Sequence, residues 1–333
     1  MARRCVVAAG AGIGFGLASS TVSRPAAATP YAGGKKTSVR EQDFPLVHHQ
    51  HGKARVRVLK VRRPAGGGRH EISEFNVNTR LFSSEYAKVF TDNDNADLVA
   101  TDTQKNTVYV VAKRTACETP EQFGVDLAEH LLKEYPILSA VEVDVSQAPW
   151  SRVVIEDKEH EHGFVRGSNE RAEAKVRLER GGVPQVVSTI EEMTIIKTTQ
   201  SGFEGYHKDQ YTLLPECTER CLATELSAYW TYVPDGTAPD YAAVRQTVHA
   251  QLTAGIFGPP NGGVYSASLQ ATIYDAGCLV LKAAPTVAQI SISTPNLHYL
   301  PCRSLEQLGE KFEDDVFIPT SEPSGTISCT VGR

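Results

Sequence analysis

The feature that most constrains this chain is an alternation of apolar and polar residues that gives way to a helical period and then returns. ARVRVLKVRR (54–63) and HEISEFNVNTRLF (70–82) place every second side chain on one face, the signature of half-buried antiparallel strands. TDTQKNTVYVVAK (101–113) and PEQFGVDLAEHLLKEY (120–135) then read as helices. The second opens on Pro120, carries an acid in its first turn and aligns Phe123, Leu127, Leu131 and Leu132 on one face. Strands return in AVEVDVSQAPW (140–150) and in the stretch 162–178, so the first half has the order ββααββ.

From Val183 that order recurs. VVSTIEEMTIIKTT and ATELSAYWTYV read as strands, YAAVRQTVHAQLTAGIF and ASLQATIYDAGCLVLKAA as helices, and VAQISISTP as a closing strand. The halves share element order without obvious identity of residues. Helices grouped on one side of an antiparallel sheet make an α+β design, and its open sheet edges need covering, for which association into an oligomer is one solution.

A length of 333 residues accommodates two domains of about 150 residues each. Hydrophobic residues at 41% and charged residues at 22% exclude a disordered chain. With 34 Lys+Arg against 39 Asp+Glu the formal charge is −5, which gives no electrostatic reason to seek phosphate backbones, so nucleic acid is not an expected partner. Seven scattered cysteines and the lack of any Asn-x-Ser/Thr site favour a reducing compartment.

Residues 1–40 differ from the rest: they contain no Asp or Glu, while Arg3, Arg4, Arg24, Lys35, Lys36 and Arg40 lie among Ala, Gly, Ser and Pro. This is the composition of a targeting segment, mitochondrial or otherwise, with a disordered extension as the plainer reading of 1–50. The apolar run CVVAAGAGIGFGLA is too short to cross a bilayer, so no membrane association is expected. Gly10-x-Gly12 is followed by Phe15 where a dinucleotide fingerprint needs glycine, and the first acid, Glu41, comes too late for one.

Three polar clusters interrupt apolar elements: Lys53 entering the first strand, Thr101-Asp102 at a helix start, and Asn296-Leu297-His298 after the closing strand. Each has a plain reading, respectively a solvated strand end, a helix cap and a loop. A helix start also favours an anionic ligand, which leaves Thr101 open to both roles. Among other clusters, His48, His49 and His51 read as solvated linker residues. Cys217 and Cys221, spaced to face one another on a helix, lack the further ligands of a zinc site, and Asp92-Asn93-Asp94-Asn95 lacks the glycine and final glutamate of a calcium loop and reads as a turn.

LVATDTQKNTVY, TTQSGFEGY, DQYTLLPECTER, SASLQATIY and PNLHY, in this order and spacing, change the weighing. From about His51 to Arg333 the sequence resembles the urate oxidases (uricases). The resemblance implies a tunnelling fold (T-fold): two tandem ββααββ units, here 51–182 and 183–333, whose antiparallel sheets close a barrel across a dimer, with two dimers stacked into a homotetramer. It implies an oxidoreductase of purine catabolism that converts urate, O2 and water to 5-hydroxyisourate and hydrogen peroxide, with no metal and no organic cofactor. Recognising a planar anion calls for a stacking face, a bidentate cation and an amide. By resemblance these are Phe203, Arg220 and Gln270, with Leu269, where the family usually has Val, and Asp102 contributing backbone.

Urate must lose a further proton before it reacts with O2. The resemblance assigns that task to Lys53 acting through the Thr101 hydroxyl, completed by His298, and gives Asn296 the hold on O2 and then on water. His51 stands where the family commonly has Tyr, and Tyr206 where Phe is frequent. His160-x-His162 lies in HEHGFVR, which the resemblance also covers and thereby implies to be a structural or subunit-contact strand. The peroxisome is the implied compartment, although the chain ends in Thr-Val-Gly-Arg333 rather than a Ser-Lys-Leu type tripeptide. The alternative function is a non-catalytic T-fold protein that binds a purine or pterin.

Overall fold

A computed structural model describes residues 44–234 and 236–333, and residues 46–333 form one compact unit. The expected targeting segment lies, but for a few residues, outside the described residues. Among the latter, no helix is long and apolar enough to cross a membrane.

The elements follow the alternation. β1 (His51–Arg62) and β2 (Glu71–Phe82) form an antiparallel pair, and a short helix α1 (Ala87–Thr91) leads to α2 (Thr101–Arg114) and α3 (Pro120–Glu134). β3 (Ala140–Gln147), the hairpin β4 (Trp150–Ile155) and β5 (Lys158–Arg166), and β6 (Arg171–Glu179) complete the first half. The second contains β7 (Gln185–Lys197), β8 (Leu222–Tyr232), α4 (Tyr241–Phe257), α5 (Leu269–Ala283), β9 (Val287–Pro301), a short α6 (Ser304–Gln307), β10 (Phe317–Thr320) and β11 (Thr326–Gly332). α3 starts where its residues dictate: the Thr119 hydroxyl accepts from the Gln122 amide and Pro120 fills a position that needs no N–H donor.

Nine strands make one antiparallel sheet in the order β1-β2-β3-β6-β7-β8-β9, and β9 is flanked on its far side by β11 along 289–295 and by β10 along 298–301. The helices cover it through two buried clusters. Phe75, Val77, Leu81, Val108, Phe123, Leu127, Val143 and Val176 form one, and Ile190, Leu226, Trp230, Leu252, Ile273, Val280 and Ile292 the other. Arg57, Asn76, Asp144, Lys175 and Glu191 are among the residues around an open trough of about 900 Å³.

The halves repeat a detail that the sequence hides. β1 is bulged between Lys53 and Val56, with Arg55 in the left-handed region (φ 59°) and its amide donating to Asn78 Oδ1 on β2 at 2.8 Å. β7 is bulged between Ile190 and Met193, with Glu192 at φ 58° and its amide donating to Ser227 Oγ on β8 at 3.4 Å. A bulge adds one residue, bends the strand and re-aims its side chains. A buried pair links the halves: Glu121 of α3, fully enclosed, accepts from Arg245 of α4 and, at 2.7 Å, from Ser188 Oγ of β7.

Three expectations need correction. The stretch 162–178 is two strands, the end of β5 and then β6, because Gly167, Ser168 and Asn169 turn the chain between them. The closing strand does not stop at Pro295: β9 runs to Pro301, so Asn296, Leu297 and His298 are strand residues rather than a loop. Cys217 and Cys221 are not on a helix; Cys217 pairs with Phe203 in an isolated bridge and Cys221 precedes β8.

Candidate functional site

The predicted residues fall into two groups at opposite ends of the sheet. Lys53 lies on β1, its Cα opposite Thr79 of β2, immediately before the bulge. Gly52 permits this pairing, since a Cβ there would lie 2.1 Å from the Thr79 carbonyl oxygen. The strand is tied to the start of α2: His51 Nε2 donates to the Val99 carbonyl at 2.7 Å, Gln104 Nε2 donates to the same oxygen at 3.2 Å, and Thr79 Oγ1 donates to Gln104 Oε1 at 2.8 Å. His51 also meets Tyr86 edge-on and His49 packs against Phe90, so neither is the solvated linker residue expected from sequence.

Thr101 and Asp102 are the first two residues of α2. Thr101 is not the cap: that place is taken by Ala100, which supplies no side-chain bond. The amides of Thr101 and Asp102 therefore lack intrahelical acceptors and carry the positive end of the helix dipole. The Asp102 carboxylate accepts from Lys105 and from Asn106 Nδ2, and the Lys105 ammonium holds it below the usual carboxylate range. The charge of Lys53 contributes the smallest part of that lowering. An open hollow of about 600 Å³ lies beside Lys53, bounded also by Asn78 and Arg80.

The second group gathers at the other end. Phe203 exchanges backbone hydrogen bonds with Cys217, at 2.6 and 3.1 Å, and its ring stacks on Tyr206 with centroids 4.9 Å apart. The Arg220 guanidinium carbon sits 5.5 Å from the Phe203 ring centroid, and Arg220 Nε is buried with no acceptor among the described residues. Leu269 and Gln270 open α5, whose cap Ser268 accepts from the Ala271 amide, so their own amides are the unsatisfied first pair. Leu269 is buried and Gln270 exposed. Asn296 and His298 alternate on β9 and so share a face. The Asn296 amide donates to the Gly325 carbonyl at 3.0 Å, and a hollow of about 590 Å³ opens beside His298 and Thr320.

A lysine on a bulged strand beside one helix start, and a guanidinium, an aromatic ring and an amide around another, suit a planar anion. A family model described as uricase matches residues 49–177 and 186–328. The chain belongs to the uricase family. The uricase-2 isozyme 2 of Glycine max is 40% identical over 293 residues, covering 85% of this chain and 94% of its own. The uricase of Oryctolagus cuniculus is 35% identical over 298 residues, covering 89% and 97%. The crystal structure of the uricase from Arthrobacter globiformis matches with a TM-score of 0.77 at 34% identity over 88% of this chain and 96% of that one. A uricase from Bacillus fastidious, at 22% identity and a TM-score of 0.70, shares the fold. The α+β architecture of antiparallel strands and covering helices is the T-fold that these uricases share.

Within this uricase framework, no three His, Cys, Asp or Glu side chains among the described residues are grouped to hold a metal ion. Sequence reasoning missed Gly52, the Ser268 cap and Lys197 at the end of β7. Ser268 was available as a serine heading an apolar helix, whereas Lys197 in TIIK reads only as a strand end.

Proposed function

We infer that this chain is a urate oxidase that uses O2 and water to convert urate to 5-hydroxyisourate and hydrogen peroxide, without metal or organic cofactor. The observation that carries the reading is the buried Arg220 Nε–H with no acceptor among the described residues, held beside the Phe203 ring within a chain of the uricase family. Urate stacks on Phe203, pairs with Arg220 and meets Gln270 and the Leu269 backbone. Lys53, through the Thr101 hydroxyl and with His298, takes the proton, the Asp102 amide faces the ring, and Asn296 holds O2 and then water over it.

Five strands separate β1 from β9 in the sheet, about 29 Å along its width at the usual strand spacing. The Lys53 group of one chain therefore meets the Phe203 group of a partner when two open sheets close a barrel, and the same reading takes the two repeats as 51–182 and 183–333, the assembly as a homotetramer and the peroxisome as its compartment. Chelator-treated protein mixed with urate tests the activity: one peroxide should form per urate lost from the ultraviolet spectrum. Binding without consumption would favour a purine-binding protein, and activity restored only by added metal would remove the cofactor-free reading.

A further inference from the structure

Lys197 ends β7 as a buried ammonium, 8% exposed, with no carboxylate partner among the described residues. Its Nζ donates instead to three oxygens: the Ile256 carbonyl at 3.2 Å, the Val264 carbonyl at 2.8 Å and Ser266 Oγ at 2.7 Å. Burial pushes the ammonium below the usual lysine range, while three acceptors favour its charged form. Ile256 lies in the last turn of α4, where carbonyls lack helical donors and a cation suits the dipole.

Ser266 is the node that this ammonium holds. Its amide donates to the Gln200 carbonyl at 2.9 Å and its carbonyl accepts from the Gly202 amide at 3.0 Å, so residue 266 lies clamped along 200–202 as a parallel bridge. Phe203 follows that clamp by one residue. The Arg220 amide donates to the Ser201 carbonyl at 2.9 Å, within the same stretch. Two residues after Ser266, Ser268 caps α5 and sets Gln270. The stacking ring, the cation and the amide thus come from three separate chain segments, which meet where Ser266 crosses 200–202 and Arg220 binds Ser201.

We propose that Lys197 is a positioning residue for urate binding: its buried ammonium fixes the Ser266 crossing and thereby sets Phe203 and Arg220 against Gln270. This rests on the assignment of those three residues to the urate site. A lone buried charge is a costly way to stabilise a fold, but one ammonium can satisfy three converging acceptors that no apolar side chain could. Lys197 makes its hydrogen bonds to the Ser266 hydroxyl and to two backbone carbonyls, and so acts on Phe203 and Gln270 through the chain that follows those acceptors.

The test replaces the ammonium by a chain of similar length, Lys197→Met, and measures KM, kcat and urate binding under anaerobic conditions, where no turnover occurs. A loss of placement raises KM and the anaerobic Kd about tenfold or more, with kcat at saturation changed far less. A purely structural role lowers the unfolding temperature but leaves KM and Kd within about twofold of the parent, and that result overturns the proposal. Should Lys197→Met fail to fold, Ser266→Ala removes one acceptor and leaves both carbonyls. It should raise KM several-fold, and an unchanged KM overturns the proposal equally. Phe203→Ala, measured alongside, separates the two readings: unchanged urate affinity there removes the site assignment itself, whereas lost affinity there with normal affinity in Lys197→Met removes only the role of Lys197.

Discussion

His51 Nε2 donates to the Val99 carbonyl at 2.7 Å, and this one bond ties the start of the edge strand to the turn that launches α2. Lys53 lies two residues after the donor and Thr101 two residues after the acceptor. The bond thus sets the span between Lys53 and Thr101, the proposed base and relay hydroxyl. His51→Phe keeps the edge-on packing on Tyr86 and deletes the donor. It should lower kcat about tenfold or more while KM for urate, assigned under the proposed function to the Phe203 group, stays near the parent value. Steady-state kinetics decide it, and an unchanged kcat would detach this bond from catalysis.

Gly52 has no room for a side chain, because a Cβ would meet the Thr79 carbonyl oxygen at 2.1 Å. Gly52→Ala should therefore spread β1 from β2 next to Lys53 and remove most activity. Activity near the parent level in a folded Gly52→Ala protein would mean that the strand pair relaxes without moving the base.

The Glu121 carboxylate is fully enclosed and joins α3 to α4 and β7 through Arg245 and Ser188. Removing one member of a buried ion pair strands the other charge, which costs about 3–5 kcal/mol. Glu121→Ala should shift denaturant unfolding by that amount and leave KM unchanged in the fraction that remains folded. A shift below about 1 kcal/mol would place this link among ordinary surface pairs.

Glu170 raises the pKa of His249 above the ordinary histidine value, by hydrogen bonding first, against an opposing effect of burial. A raised pKa contributes stability that is complete below the unfolded value of about 6.5 and fades as pH rises through the folded one. Because the His249 side chain is 44% exposed, solvent screening keeps the effect below about 1 kcal/mol. The difference in unfolding free energy between the parent and His249→Gln should be larger near pH 5.5 than near pH 8.5. Equal differences at both values would assign the contribution to packing.

Lys53 and Arg220 sit at opposite ends of one sheet, so their lesions should complement across a closed barrel. Lys53→Ala and Arg220→Ala should each be severely impaired alone. Co-expressed with different tags, they should yield mixed oligomers with restored activity, because one interface collects both lesions and the other is intact. Mixed oligomers as inactive as either parent would rule out a site shared between chains.

The alternation in 54–63 and 70–82 was enough to read β1 and β2, and Thr119-Pro120 enough to start α3, because these are local signals of side-chain period and backbone donors. Pro295 misled for the same reason. Proline reads as a stop, yet its carbonyl accepts from Thr224 Oγ1 at 2.7 Å and β9 continues through Asn296 and His298. The residues proposed to surround urate come from motif resemblance, and the structure adds which of them one chain brings together. Lys197 was illegible because nothing in TIIK distinguishes an ammonium that ends in water from one that ends on three oxygens. That difference is made by Ile256, Val264 and Ser266, roughly 60–70 residues further along.

Arg220 Nε is enclosed by protein with no acceptor among the described residues, so under the proposed function the partner for that donor comes from the ligand and not from the fold. Preorganisation of this kind sets stability against function, since a buried donor without an acceptor costs about 1–3 kcal/mol that only ligand can return. Affinity for the ligand and strain in the free chain are then two faces of the same guanidinium, and occupancy of the site would steady the fold.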